Sequence, residues 1–254
     1  MSLLVERDGA VVTWILNRPE RRNAVDPATA LALREAVDAF EADESAQVAV
    51  LTGAGGHFCA GFDLKTVDEI APRYDPLGEG PMGPTRRLAA KPVLAAVEGY
   101  AVAGGLELAL WCDLRIASAS ATFGVFCRRW GVPLIDGGTV RLPRIIGQGR
   151  ALDMILTGRP VGAAEALAFG LANRVVAEAE ARGEAERLAA EIARFPGLCM
   201  RTDRLSAYAG WDAGLAEALR AEAIAGAAPI RDGAREGAAR FAGGRGRAGD
   251  FGDI

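Results

Sequence analysis

Val97-Glu-Gly-Tyr-Ala-Val-Ala-Gly-Gly-Leu-Glu-Leu108 and, upstream of it, Phe58-Cys-Ala-Gly-Phe-Asp-Leu64 are the two stretches on which the fold turns. Each follows a short apolar run, Val93–Val97 in one case and Val48–Thr52 in the other. Each places small residues where an extended segment would turn into a helix. Backbone N–H groups at a helix start have no intrahelical partner and lie at the positive end of the helix dipole. Where side chains are absent, a ligand oxygen can approach that backbone closely. Two such donors converging on one carbonyl oxygen would form an oxyanion hole. Either segment alone would serve equally well for tight helix–strand packing; it is the pair that suggests a site.

Outward from these segments, strand-like and helix-like pieces alternate over roughly the first 175 residues. Val11–Leu16 is a β-branched run stopped by Asn17-Arg18-Pro19. Asp26-Pro27 is a helix start, and Leu33, Val37 and Phe40 then recur at helical spacing. Val48–Thr52, Val93–Val97 and Leu114–Ala117 read as further short strands, so the pattern predicts an α/β core with parallel strands. From residue 177 to 194 the chain is rich in Ala, Glu and Arg, the composition of an exposed helix. The expected organisation is a core over 1–195 and a helical C-terminal segment over 196–254. The latter ends in a glycine-rich, flexible tail from Phe241 to Gly249.

Bulk composition narrows the function. The chain has 254 residues, half of them apolar, which is enough to bury a full core. A net charge of −4 with no basic stripe argues against nucleic acid as a partner. Its apolar stretches are too short to span a bilayer, and no secretory signal opens the sequence, so no membrane association is expected. Cys59, Cys112, Cys127 and Cys199 are widely spread and form no C-x-x-C pair. They read as reduced thiols, which suggests a cytoplasmic protein.

Other chemistries fail on spacing. A dinucleotide fingerprint would need glycine three places after Gly55, where Phe58 stands. Gly56 and Gly61 have the interval of a phosphate-binding loop, but Phe62 replaces its lysine. His57 is the only histidine, no G-x-S-x-G elbow accompanies it, and no carboxylate cluster has ligand spacing. Neither a Ser-His-Asp triad nor a metal site is expected.

Taken together, the two glycine-rich segments resemble the signature of the crotonase superfamily, the enoyl-CoA hydratases and isomerases. Other landmarks follow in the family's order. Asn17-Arg-Pro19 with Asn23-Ala24 is similar to its N-terminal motif, and Cys112-Asp-Leu-Arg-Ile-Ala117 to the strand after its second glycine-rich segment. Gly131-Val-Pro133, Asp136-Gly-Gly-Thr139, Arg141-Leu-Pro143, Leu156-Thr-Gly158 and the run from Ala163 to Ala172 resemble its downstream motifs. The resemblance covers about residues 3–240.

It implies a spiral of ββα units with a helical C-terminal segment that assembles trimers or dimers of trimers. The implied substrate is an acyl-CoA thioester, with no separate cofactor because CoA is part of the substrate. Carried over by position, the oxyanion donors are the backbone N–H groups of Ala60 and Gly104. Ala60, Gly61, Phe62 and Asp63 would border the thioester. Lys65 and the Arg21-Arg22 pair would face the CoA phosphates, or else are plain surface charge.

Family hydratases hold a water between two glutamates, one a base toward the water and one delivering a proton to the α-carbon. The first corresponds to Glu107, a carboxylate amid an apolar helix and costly there unless partnered or functional. The second corresponds to Cys127, and a thiol is a poor replacement for a carboxylic acid. The family's single-glutamate isomerases keep the second acid and not the first, so they do not match either. Asp136 is the nearest substitute; alternatively it is a turn residue ahead of Gly137-Gly138. The expected function is an enoyl-CoA hydratase or isomerase using Glu107 and Asp136, with Cys127 in the substrate pocket. The alternative is a catalytically silent acyl-CoA-binding protein.

Overall fold

Val11–Leu16 is apolar at every position but Thr13, and all six residues are buried in the computed structural model, which describes residues 1–70, 74–249 and 251–252. Such a strand belongs inside a sheet covered on both faces. It is β2, paired antiparallel with β1 (Leu3–Asp8) and parallel with β3 (Val48–Gly53). Between β2 and β3 lies α1 (Pro27–Ala42). Asp26 caps it, accepting the Thr29 N–H at 2.8 Å, and Ala30, Leu33, Val37 and Phe40 form its buried face. The C-terminal end of α1 is held by Lys91, whose Nζ donates to the carbonyls of Phe40, Asp43 and Ala46 at 2.7–2.9 Å.

The next elements are α2 (Val67–Ile70), β4 (Val93–Val97), β5 (Tyr100–Val102), α3 (Gly104–Trp111), β6 (Leu114–Ser118) and β7 (Thr122–Gly124). They are followed by α4 (Gly138–Ile146), α5 (Gln148–Thr157), β8 (Val161–Gly162), α6 (Ala163–Phe169), β9 (Arg174–Val176) and α7 (Ala181–Ala193). The large sheet runs β1-β2-β3-β4-β6-β9 and the small one β5-β7-β8. One plan repeats along the chain. β4 enters the large sheet, β5 the small one, and α3 follows. β6 and β7 do the same, ahead of a 3-10 turn at Phe126–Trp130. Upstream, β3 lies in the large sheet, and Cys59 bridges in parallel to Ala101 of β5. The chain therefore spirals, the β4–β5 and β6–β7 turns each leaving one strand in each sheet. The parallel strands expected from the sequence run from β2 through β9 of the large sheet; β1 and β8 pair antiparallel.

Two compact units divide the chain, Met1–Ala189 and Ala190–Ile254. Composition places the change near residue 195. The second unit contains α8 (Gly197–Ala209), α9 (Leu215–Ala225), α10 (Ala227–Asp232) and α11 (Ala234–Ala242). Nothing in α8, α9 or α11 is buried, and Leu215, Leu219, Ile224, Ile230 and Phe241 are exposed. No helix among the described residues is long and apolar enough to cross a membrane.

Candidate active site

Gly104 opens α3 directly after Ala103, whose φ of 54° and ψ of −125° leave the regions that L-residues prefer. A residue held in such a region costs on the order of 1–3 kcal/mol and persists only where its surroundings over-determine it. Here the Ala103 N–H donates to Gly124 O at 2.9 Å, and its carbonyl accepts from Glu107 N at 3.2 Å. The turn leaves the Gly104 N–H with no hydrogen bond among the described residues.

A second unspent donor lies close by. Gly61 O accepts from Val25 N and Asp63 N donates to Val25 O, both at 2.8 Å, so one edge of this short extended piece is committed. The Phe62 N–H points to the other edge and donates to no group among the described residues. The two segments pack backbone to backbone. A Cβ on Gly61 would stand 2.9 Å from the Gly104 nitrogen, and one on Gly105 only 2.1 Å from the Cys59 carbonyl oxygen. Phe62 and Gly104 both line a cavity of about 620 Å³.

This geometry corrects the expected donor. The Ala60 N–H is already given to Arg22 O at 2.9 Å. Gly61, at φ 99°, turns the chain just beyond it, so that Phe62 is left with the free N–H. Ala60 still lines the cavity. Asp63 does not: its carboxylate is drawn to Arg18 Nη2 at 2.9 Å, and its Oδ1 accepts from Lys65 N at 3.2 Å. Gly61 and the exposed Lys65 are also absent from the lining, as is Arg21, whereas Arg22 is part of it.

Glu107 projects from the first turn of α3 and is 2% exposed. Its Oε1 accepts the N–H groups of Asp136 and Gly138, each at 2.8 Å, so it caps the start of α4. Oε2 accepts nothing among the described residues. Burial, and then the charge of Asp136, push the Glu107 carboxyl up to about 8. Asp136, equally buried, is also raised by burial. Hydrogen bonds from the Thr85 hydroxyl and the Met82 N–H (3.1 Å) to its Oδ1, and the charges of Arg86 and Arg141, hold it back. Both carboxyls are therefore harder to ionise than in water, and the shift is the larger at Glu107. Cys127 also lines the cavity; burial, then the charge of Glu107, raises its thiol, which stays protonated.

Apart from Arg22 and the stretch 71–84, the rest of the wall is not identified from the sequence. Val67, Tyr74, Pro81, Met82 and Ile135 supply apolar surface. Arg22 lies over Tyr100 at 5.5 Å, and Arg129 over Phe126 at 4.8 Å, so two cations stand among aromatic rings. The stretch 71–84, with prolines at 72, 76, 81 and 84 and no clear periodicity, reads from the sequence as part of the acyl-pocket wall; residues 71–73 lie outside the described residues, and Tyr74, Pro81 and Met82 line the cavity. No group of three or more His, Cys, Asp or Glu residues placed to hold a metal occurs among the described residues.

The chain is similar to known proteins. The family model for enoyl-CoA hydratase/isomerase matches residues 6–246. An enoyl-CoA hydratase of Mycobacterium tuberculosis is 40% identical over 196 residues, 74% of this chain and 73% of that protein. A crotonyl-CoA hydratase of Syntrophomonas wolfei is 33% identical over 229 residues, 88% of each chain. A carnitinyl-CoA dehydratase of Proteus mirabilis is 42% identical over 202 residues, 78% of this chain and 77% of the other. The crystal structure of an enoyl-CoA hydratase from Mycobacterium marinum superposes with a TM-score of 0.90 at 35% identity, covering 96% of both chains. The matched region includes both glycine-rich segments, Glu107 and Asp136. The chain has the crotonase fold and belongs to the enoyl-CoA hydratase/isomerase family.

Proposed function

We propose that the protein adds water across the α,β double bond of an enoyl-CoA thioester, or removes it, through an enolate held by the backbone N–H groups of Phe62 and Gly104. The observation that carries this reading is a pair of buried carboxyls lining one cavity with those two donors: Glu107, and Asp136, whose backbone N–H donates to Glu107 Oε1 at 2.8 Å. An isomerase needs a single carboxyl to move one proton between carbons, whereas hydration needs a base for water and an acid for carbon. Relatives named hydratase and dehydratase support the same choice.

The chemistry follows from which groups are free. The thioester oxygen lies between the two N–H donors, which strengthen their hold as it becomes the enolate oxygen. The roles are the reverse of those the resemblance implies, because Glu107 is the carboxyl pushed up to about 8: ionised Asp136, through Oδ2, takes a proton from water as the water oxygen attacks the β-carbon. The double-bond electrons move onto the α-carbon and the thioester, and protonated Glu107 gives its proton to the α-carbon. This leaves the proton on Asp136 and Glu107 ionised, the form from which loss of water runs the same steps backward; exchange with solvent returns the proton to Glu107 before the next hydration. Arg22 and Arg129 provide positive charge for the anionic CoA, and the apolar wall receives the acyl chain. In the second unit, the exposed Leu215, Leu219, Ile224 and Phe241 are assigned to contacts between subunits of a homo-oligomer. Sedimentation at micromolar concentration should show no stable monomer.

Incubation with crotonyl-CoA should consume its conjugated double bond. The rate should rise with pH as Asp136 ionises, then fall through about pH 8 as Glu107 loses its proton. Tight acyl-CoA binding with no turnover at any pH would favour the silent binding protein instead.

A further inference from the structure

We propose that Thr85 is a positioning residue of this site: its hydroxyl, with the Met82 N–H, occupies one oxygen of Asp136 and fixes the other toward the substrate. The inference rests on the reading of Asp136 as the working base.

Asp136 lies on a loop ahead of α4, where its carboxylate would otherwise be free to rotate. It is met by a segment some fifty residues away in sequence. Thr85 is fully buried, and among the described residues its hydroxyl makes one hydrogen bond, to Asp136 Oδ1. Met82 N adds a second donor to the same oxygen at 3.1 Å. The space around this oxygen is closed, because a Cβ on Gly80 would stand 2.1 Å from Oδ1 and 2.5 Å from Thr85 Oγ1. Asp136 Oδ2 accepts nothing among the described residues, and Asp136 lines the cavity.

A purely structural role for the Thr85 hydroxyl is already filled by others. Arg141 ties the two segments together, Nη1 donating to Asp136 O at 3.1 Å and Nη2 to Thr85 O at 2.7 Å. Arg86 Nε donates to Ile135 O at 3.2 Å. These links reach backbone carbonyls and would survive loss of the hydroxyl. Threonine suits the task because its β-branched side chain has few rotamers. The hydrogen bond favours the ionised carboxylate, in a setting where Glu107 from α3, Arg86 from the same segment and Arg141 from α4 supply the other charges.

The test is to measure kcat, KM and their pH dependence on an enoyl-CoA for Thr85→Val, Thr85→Ala and Thr85→Ser, with Asp136→Asn alongside. Thr85→Val should lower kcat roughly 10- to 100-fold, the scale of a hydrogen bond to a charged group, with KM little changed. The acidic limb of the profile should move upward by about one pH unit. Thr85→Ala repeats the test without the valine methyl, and Thr85→Ser should restore both rate and limb. An acidic limb and kcat unchanged in both Val and Ala variants, or a Ser variant no better than Val, would overturn the inference while a damaging Asp136→Asn left the base assignment standing. A harmless Asp136→Asn would sink the base assignment and this inference with it.

Discussion

Glu107→Gln is expected to lower kcat for hydration by roughly 10²–10⁴-fold, the usual contribution of a positioned acid or base. The amide can still accept the two backbone N–H groups now given to Oε1, so the start of α4 stays capped and the lesion is chemical. A stability measurement provides the internal control. In the unfolded chain this carboxyl loses its proton near 4.5, and in the folded protein at about 8. Below 4.5 both states are protonated and its contribution is fully present. As pH rises toward 8 only the unfolded state ionises, so the parent loses stability across that window. Glu107→Gln has no such titration and should show a smaller decline in denaturation midpoint between pH 5 and 8. A variant as active as the parent would remove Glu107 from the mechanism. Parallel stability profiles would mean that Glu107 is not buried as its surroundings indicate.

Gly104→Val is the second large effect, with kcat/KM falling roughly 10²–10³-fold, the scale of losing one oxyanion donor. The N–H survives, but the new side chain would meet Met82 Sδ at 2.5 Å and Cγ at 2.9 Å and force that side chain to move. Met82 is flexible and lines the cavity, so the fold accommodates the change while the oxygen site does not. The neighbouring Gly105 behaves differently, because a Cβ there meets the Cys59 backbone carbonyl, which cannot yield. Adjacent glycines thus divide the labour. Gly104→Val should keep a near-parental melting temperature, and unimpaired turnover by that variant would show the thioester oxygen to be bound elsewhere.

Those two glycines also show what the sequence could and could not disclose. Small residues ahead of α3 marked the site, and the apolar runs of β2, β3, β4 and β6 were plain because strands buried on both faces are continuously apolar. β5, β7, β8 and β9 have two or three residues each, too few for a periodicity, and β1 is largely exposed at the edge of its sheet. The segment holding the second donor was recognisable, but the choice between Ala60 and Phe62 depends on the φ of Gly61 and on the carbonyls of neighbouring strands. Asp63 and Lys65 looked like cavity residues until Arg18 drew the first away. Asp136 could be named as the nearest substitute for the acid missing at Cys127. Thr85 could not, since nothing near it in the chain signals a partner about fifty residues on.

The central claim is that Glu107 and Asp136 divide acid and base between them. Steady-state hydration of crotonyl-CoA by Asp136→Asn, beside the parent, tests it most directly. The Asn side chain can still receive the Thr85 hydroxyl and the Met82 N–H, so the loop geometry is preserved. The account predicts a fall in kcat of about 100-fold or more, with acyl-CoA affinity retained. Parental turnover by Asp136→Asn would contradict it.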